Sequence, residues 1–169
     1  DLAAFGKIIG GGLPVGGYGG KKEFMMEISP LGPIYQSGTL SGNPMAMAAG
    51  LATLHELGRV GFYDELEAKS LAFTESLRNG VKNLDISLQI QQVGSMFTLF
   101  FQDKPINNFE DACAGNDQDY ATFFQGLLKR GIYVAPSSYE ALFMSAAHSD
   151  IQLQKTQDAM LEVLTEMAH

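Results

Sequence analysis

Fourteen of the 19 glycines in this 169-residue chain fall within its first 61 residues, and that skew limits more than any other feature what the chain can become. Glycine has no Cβ, so it marks tight turns and close backbone approaches and weakens regular helix and strand. The opening stretch therefore reads as short strands and turns arranged where backbone must come close to something. Charge divides the chain at the same place. Residues 1–61 balance Asp1, Glu23, Glu27 and Glu56 against Lys7, Lys21, Lys22 and Arg59, so the whole net charge of −8 sits in residues 62–169. There, amphipathic helices alternate with short strands, which is an α/β pattern.

Composition excludes several classes of protein. Hydrophobic residues make up 46% and charged residues 18%, enough apolar content to bury a core and too much for a disordered tail. Apolar runs break well before the ~20 residues a membrane span needs, and no leader pattern opens the residues, so a soluble protein with no membrane partner is expected. The acidic balance argues against a nucleic-acid partner, whose phosphates attract a basic face. The single cysteine, Cys113, has no internal disulfide partner and no Asn-x-Ser/Thr site occurs. A reducing, cytoplasmic setting follows as the expectation.

Spacing predicts the elements. Residues 2–5 and 15–20 read as short buried strands flanking Gly10-Gly11-Gly12, with Lys7 where the first strand ends, and residues 21–27 as one or two helical turns. Asn43 followed by Pro44 starts a helix, because Asn caps free N–H groups and Pro at the first position loses no helical bond. Met47, Leu51 and Leu54 share one face of it, and helical spacing resumes from Phe62 to Gly80. Residues 86–93 and 95–101 read as strands about Gly94, with Phe97, Phe100 and Phe101 as core, and residues 102–116 as loop. Tyr120, Phe123, Phe124, Leu127 and Leu128 define a helix ended by Gly131. Residues 132–134 and 141–144 are short strand candidates, and Ser149 to Gln152 forms a capping box for a last helix.

A lysine beside glycines invites a phosphate-loop reading, and the spacing rejects it. A Walker loop needs glycine where Val15 stands and Ser or Thr where Lys22 stands, while the dinucleotide patterns begun at Gly10 and Gly17 meet Val15 and Lys22. What remains is a lysine at a strand end before three glycines. Buried beside a cofactor it would lose hydration, its amine would be neutral for part of the time, and it could attack an aldehyde. By residue chemistry alone, an exposed surface lysine is the more ordinary outcome.

The wording around it decides. Gly6-Lys7-Ile8-Ile9-Gly10-Gly11-Gly12-Leu13-Pro14-Val15-Gly16 resembles the cofactor-lysine segment of the class-III aminotransferases, which use pyridoxal 5′-phosphate. Tyr35-Gln36-Ser37-Gly38-Thr39-Leu40-Ser41-Gly42-Asn43-Pro44 resembles their phosphate-contacting segment, Val93 to Phe97 a third, and Gly131 to His148 a fourth, all in the family's order. The wording is nearest to the branch of that family that exchanges an amino group within one small substrate.

The resemblance implies the fold of the pyridoxal-phosphate-dependent transferases, fold type I, in its C-terminal portion only. Residues 1–56 would end the large cofactor-binding domain and residues 57–169 would form the small C-terminal α/β domain. It implies that Lys7 bonds the cofactor and moves protons as general acid and base. Thr39 would offer hydroxyl and backbone N–H to the cofactor phosphate of the other subunit in a homodimer, with Gly38 keeping that approach open. Glu140 would hold amino groups of the substrate at the mouth of the site. The family's chains are longer, so the groups that stack on and protonate the ring are expected outside these residues, and the chain alone is expected to be inactive. Strands 2–5 and 15–20 would belong to a largely parallel sheet whose neighbouring strands are missing from these residues. An aminotransferase using a separate amino donor, or a non-catalytic dimerisation or packing domain, are the alternatives. No metal site is expected: His55 and His148 lack a second ligand at metal spacing, His169 is terminal and exposed, Cys113 lies inert among acids, and Ser137 and Ser138 lack a base for hydrolase chemistry.

Overall fold

A computed structural model describes residues 1–168, so His169 lies outside the described residues. The chain forms two units, Asp1–Phe62 and a second that opens at Tyr63. The division falls in the first turn of a helix.

In the first unit, β1 (Leu2–Phe5) pairs antiparallel with β2 (Gly17–Gly20), Leu2 opposite Gly20 and Phe5 opposite Gly17. The burial expected for these strands is not supplied by the described residues. The connection holds only a 3₁₀ turn, Lys7–Gly10, too little for the crossover that parallel neighbours require. Leu2 is 65% and Phe5 59% exposed. After α1 (Lys22–Met25) the chain runs irregularly to α2 (Pro44–Leu57). Asn43 caps α2 as its sequence predicts, its side-chain oxygen accepting from the Met45 and Ala46 amides at 3.0 and 3.3 Å.

The buried face of α2 is its small one. Ala46 and Gly50 are buried, whereas Met47, Leu51 and Leu54, which share the apolar face, are 38, 58 and 51% exposed. Small residues are needed because α2 lies directly on the 3₁₀ turn: a Cβ on Gly50 would stand 2.7 Å from the Ile9 carbonyl oxygen. Across the same contact, a Cβ on Gly11, which holds φ of +58°, would stand 2.6 Å from Thr53 Oγ1 and 2.7 Å from the Ala49 oxygen. Alanine in place of glycine normally stabilises a helix interior by ~1 kcal/mol. Gly50→Ala is instead expected to destabilise the first unit by about 1–3 kcal/mol, since the backbone oxygen it meets cannot yield as a side chain does. A urea midpoint that falls checks this; one that rises refutes the contact.

The second unit holds a three-stranded antiparallel sheet in the order β3 (Gln89–Val93), β4 (Met96–Phe100), β5 (Leu142–Phe143). Gly94 and Ser95 join β3 to β4, with Gly94 at φ of +56°, the glycine-first form of a two-residue hairpin. Alternation along β4 turns Phe97 and Leu99 inward, while Phe100 stays half-buried and Phe101 is buried just past the strand. Helices α3 (Phe62–Val81), α5 (Asp117–Lys129) and α6 (Asp150–Met167) supply much of the remaining core, including Leu77, Phe123, Leu127, Met160 and Leu164. The capping box on α6 is formed by Ser149 and Gln152.

Two expectations fail here. Residues 102–116 contain a short helix, α4 (Phe109–Cys113), started by Asn108, whose side chain accepts from the Asp111 amide at 2.9 Å. It has too few apolar residues to show a period. Residues 132–134 form no strand, because no ladder partner meets them among the described residues; Tyr133 packs edge-on to Phe124 instead, ring centroids 6.1 Å apart. No described helix is long and apolar enough to cross a membrane.

Candidate active site

Lys7 opens the 3₁₀ turn immediately after β1, with φ of +57°, the only positive value at a non-glycine position among the described residues. A left-handed conformation costs an ordinary residue ~1–2 kcal/mol. The surrounding backbone holds it there: the Gly11 amide donates to Ile8 O and the Leu13 amide to Gly10 O, both at 3.0 Å, and α2 closes on the turn through Gly50. The Lys7 side chain is exposed and makes no hydrogen bond or ion pair among the described residues. The first unit by itself leaves the amine uncovered.

Gly38 and Thr39 line one recess with Pro14, Val15 and Gly16, and Lys7 is not among its lining residues. The loop closes on itself through the Ser41 amide to Gly38 O at 3.0 Å and the Asn43 amide to Leu40 O at 3.2 Å. Those bonds leave the Thr39 amide and hydroxyl without a protein partner among the described residues. The first amides of α2 are taken by Asn43, so an anion here would be met by the loop rather than by the helix end.

Glu140 belongs to the second unit. It ends the turn Ser137–Glu140, closed by the Glu140 amide donating to Ser137 O at 3.1 Å, and its side chain is exposed. Two tyrosines adjoin it. Tyr120 donates to Ala135 O at 2.7 Å, and burial, with the charge of Glu140 second, pushes its phenol up to about 12. It therefore remains a donor at every pH below that. Tyr139 donates to Asp117 Oδ2, whose negative charge is the foremost cause of its raised pKa. Asp117, Tyr120 and Tyr139 have no separate signature in sequence: only the Asn116-Asp117 pair at a helix start could have drawn notice.

The remaining candidates have structural surroundings. The Ser145 amide donates to His148 Nδ1 at 3.2 Å, and Lys69 Nζ to the His148 oxygen at 2.9 Å. His55 is exposed on α2, and Cys113 is exposed at the end of α4. Ser137 Oγ accepts from the Tyr139 amide, and Ser138 Oγ donates to Asp117.

A family model described as aminotransferase class-III matches residues 1–164, and the chain belongs to that family, whose cofactor is pyridoxal 5′-phosphate. Proteins named glutamate-1-semialdehyde 2,1-aminomutase from Desulfitobacterium hafniense and Chloroherpeton thalassium are 48% and 49% identical to it, over 99% and 97% of this chain and 39% and 38% of theirs. The chain thus spans about two fifths of the length of the curated relatives it matches. Among solved structures, a β-phenylalanine aminotransferase from Variovorax paradoxus matches with a TM-score of 0.84 and 29% identity, over 96% of this chain and 37% of that one. The mixed α/β fold is part of fold type I of the pyridoxal-phosphate-dependent transferases.

Proposed function

We propose that this chain is the cofactor-lysine-bearing, C-terminal portion of a glutamate-1-semialdehyde 2,1-aminomutase. The complete protein would move the amino group within glutamate-1-semialdehyde to give 5-aminolevulinate, a precursor of tetrapyrroles (porphyrins), as a cytoplasmic homodimer. The observation that carries this reading is identity of 46–49% to proteins of that name across nearly the whole chain, together with the strained turn that holds Lys7.

The residues fit the cofactor. Thr39 has an amide and a hydroxyl free for a phosphate oxygen, beside a glycine that leaves the approach open. Lys7 presents an amine with no competing partner. When bound, pyridoxal phosphate supplies the ring that draws electrons from the substrate carbon. Lys7 Nζ would hold the cofactor aldehyde and would serve as the general acid and base for the proton at that carbon. Thr39 would donate to the phosphate of the cofactor held by the partner subunit. The Glu140 carboxylate holds the substrate's amino group by charge-assisted hydrogen bonds.

Borohydride reduction of the complete protein with pyridoxal phosphate, followed by peptide mapping, tests the central assignment. The label is expected on Lys7; label on Lys21 or Lys22 with Lys7 untouched refutes it. The product separates the aminomutase from its relatives: 5-aminolevulinate should form with no added amino donor, and dependence on a donor would make the protein an aminotransferase.

A further inference from the structure

The first turn of α5 holds more than its own helix. Asn116 caps it, accepting from the Gln118 and Asp119 amides at 3.0 and 3.3 Å, which leaves the Asp117 carboxylate free of capping duty. That carboxylate spans the turn before Glu140 instead: Oδ1 accepts from the Ser138 hydroxyl at 2.6 Å and Oδ2 from the Tyr139 phenol at 3.3 Å. Three residues along the helix, Tyr120 donates to Ala135 O at 2.7 Å. Positions i and i+3 share a helix face, so one face grips both ends of the segment 135–139. Glu140 is the next residue. Its carboxylate makes no hydrogen bond or ion pair among the described residues, so its place is set by the backbone that carries it.

We propose that Asp117 is a positioning residue: through Ser138 and Tyr139 its carboxylate fixes the turn that presents Glu140 to the amino group of the substrate. This rests on the reading of Glu140 given above. Asp117 satisfies both its oxygens with neutral hydroxyls, which keeps its charge engaged within the turn while the Glu140 carboxylate stays available. An exposed four-residue turn without such a clamp would sample many conformations, and a carboxylate on it would bind an amine only in the fraction that faces the site.

The test uses the complete protein with pyridoxal phosphate bound, the variants Asp117→Ala and, from the other side of the clamp, Ser138→Ala/Tyr139→Phe, and Glu140→Gln alone and combined with each. Hydrogen exchange at the Tyr139 and Glu140 amides is expected to quicken about tenfold or more in both clamp variants, while the α5 amides keep their protection. The KM for glutamate-1-semialdehyde should rise about tenfold in either, as in Glu140→Gln, with kcat little changed and with no further rise when the changes are combined. Unchanged exchange overturns the clamp. Faster exchange with an unmoved KM, in the face of a raised KM for Glu140→Gln, overturns the positioning role and leaves the Glu140 reading standing, as do increases that simply multiply. A KM indifferent to Glu140→Gln overturns that reading and the positioning role together, without touching the assignment of Lys7.

Discussion

Lys7→Ala in the complete protein is expected to lower turnover by about 10²- to 10⁴-fold through the loss of proton transfer alone, and to abolish the borohydride-trapped adduct. Lys7→Arg should fall as far, because a guanidinium keeps its charge and cannot serve as the neutral amine. A surface lysine of no function would tolerate both changes. The backbone offers a sharper contrast. Lys7 sits at φ of +57°, a conformation glycine adopts without penalty, so Lys7→Gly is expected to raise stability by ~1 kcal/mol while removing activity. Stability and function would then move in opposite directions at one position, which a denaturant midpoint and a rate assay together record. A Lys7→Gly protein that is both less stable and fully active would refute the account of this turn.

The largest effect on stability is expected in the second unit. Phe123 is fully buried, with the rings of Phe101 and Tyr120 5.7 and 6.2 Å away, centroid to centroid. Phe123→Ala removes that ring from the centre of the core and should cost about 3–5 kcal/mol. Whole domains are stable by only ~5–15 kcal/mol, so the loss is a large share of what holds the unit together. Urea unfolding followed by circular dichroism measures it; a cost below ~1 kcal/mol would mean that the site repacks around the gap.

What was legible in the sequence follows the range of the interaction. Helices with a local start signal were readable: Asn43-Pro44 and the Ser149–Gln152 box both cap as their spacing predicts. The helix carrying Tyr120, Phe123 and Leu127 was readable because its apolar period matches a core that does receive it. The period in α2 marks the face of Met47, Leu51 and Leu54 but not the contact, which Ala46 and Gly50 make; hydropathy reports large residues, and this contact selects small ones. Antiparallel pairing of β1 with β2 depends on register across a connection, which no local pattern encodes. For the site, the wording around Lys7, Thr39 and Glu140 carried the candidates. Asp117 has no local signature, because its partners lie 21 and 22 residues along the chain and an aspartate in a first helical turn has an ordinary explanation in the helix dipole.

The seating of α2 on the 3₁₀ turn sets which substitutions this segment can accept. Hydrophobicity is a poor guide there: positions 46, 49, 50 and 53 are governed by volume, and their mutational tolerance should end abruptly above the size of alanine or threonine. The outward positions 47, 51 and 54 should drift freely in shape as far as this unit is concerned. Variation along the helix would therefore run opposite to that of an ordinary amphipathic segment, with the greasiest sites the most permissive and the smallest the most rigid.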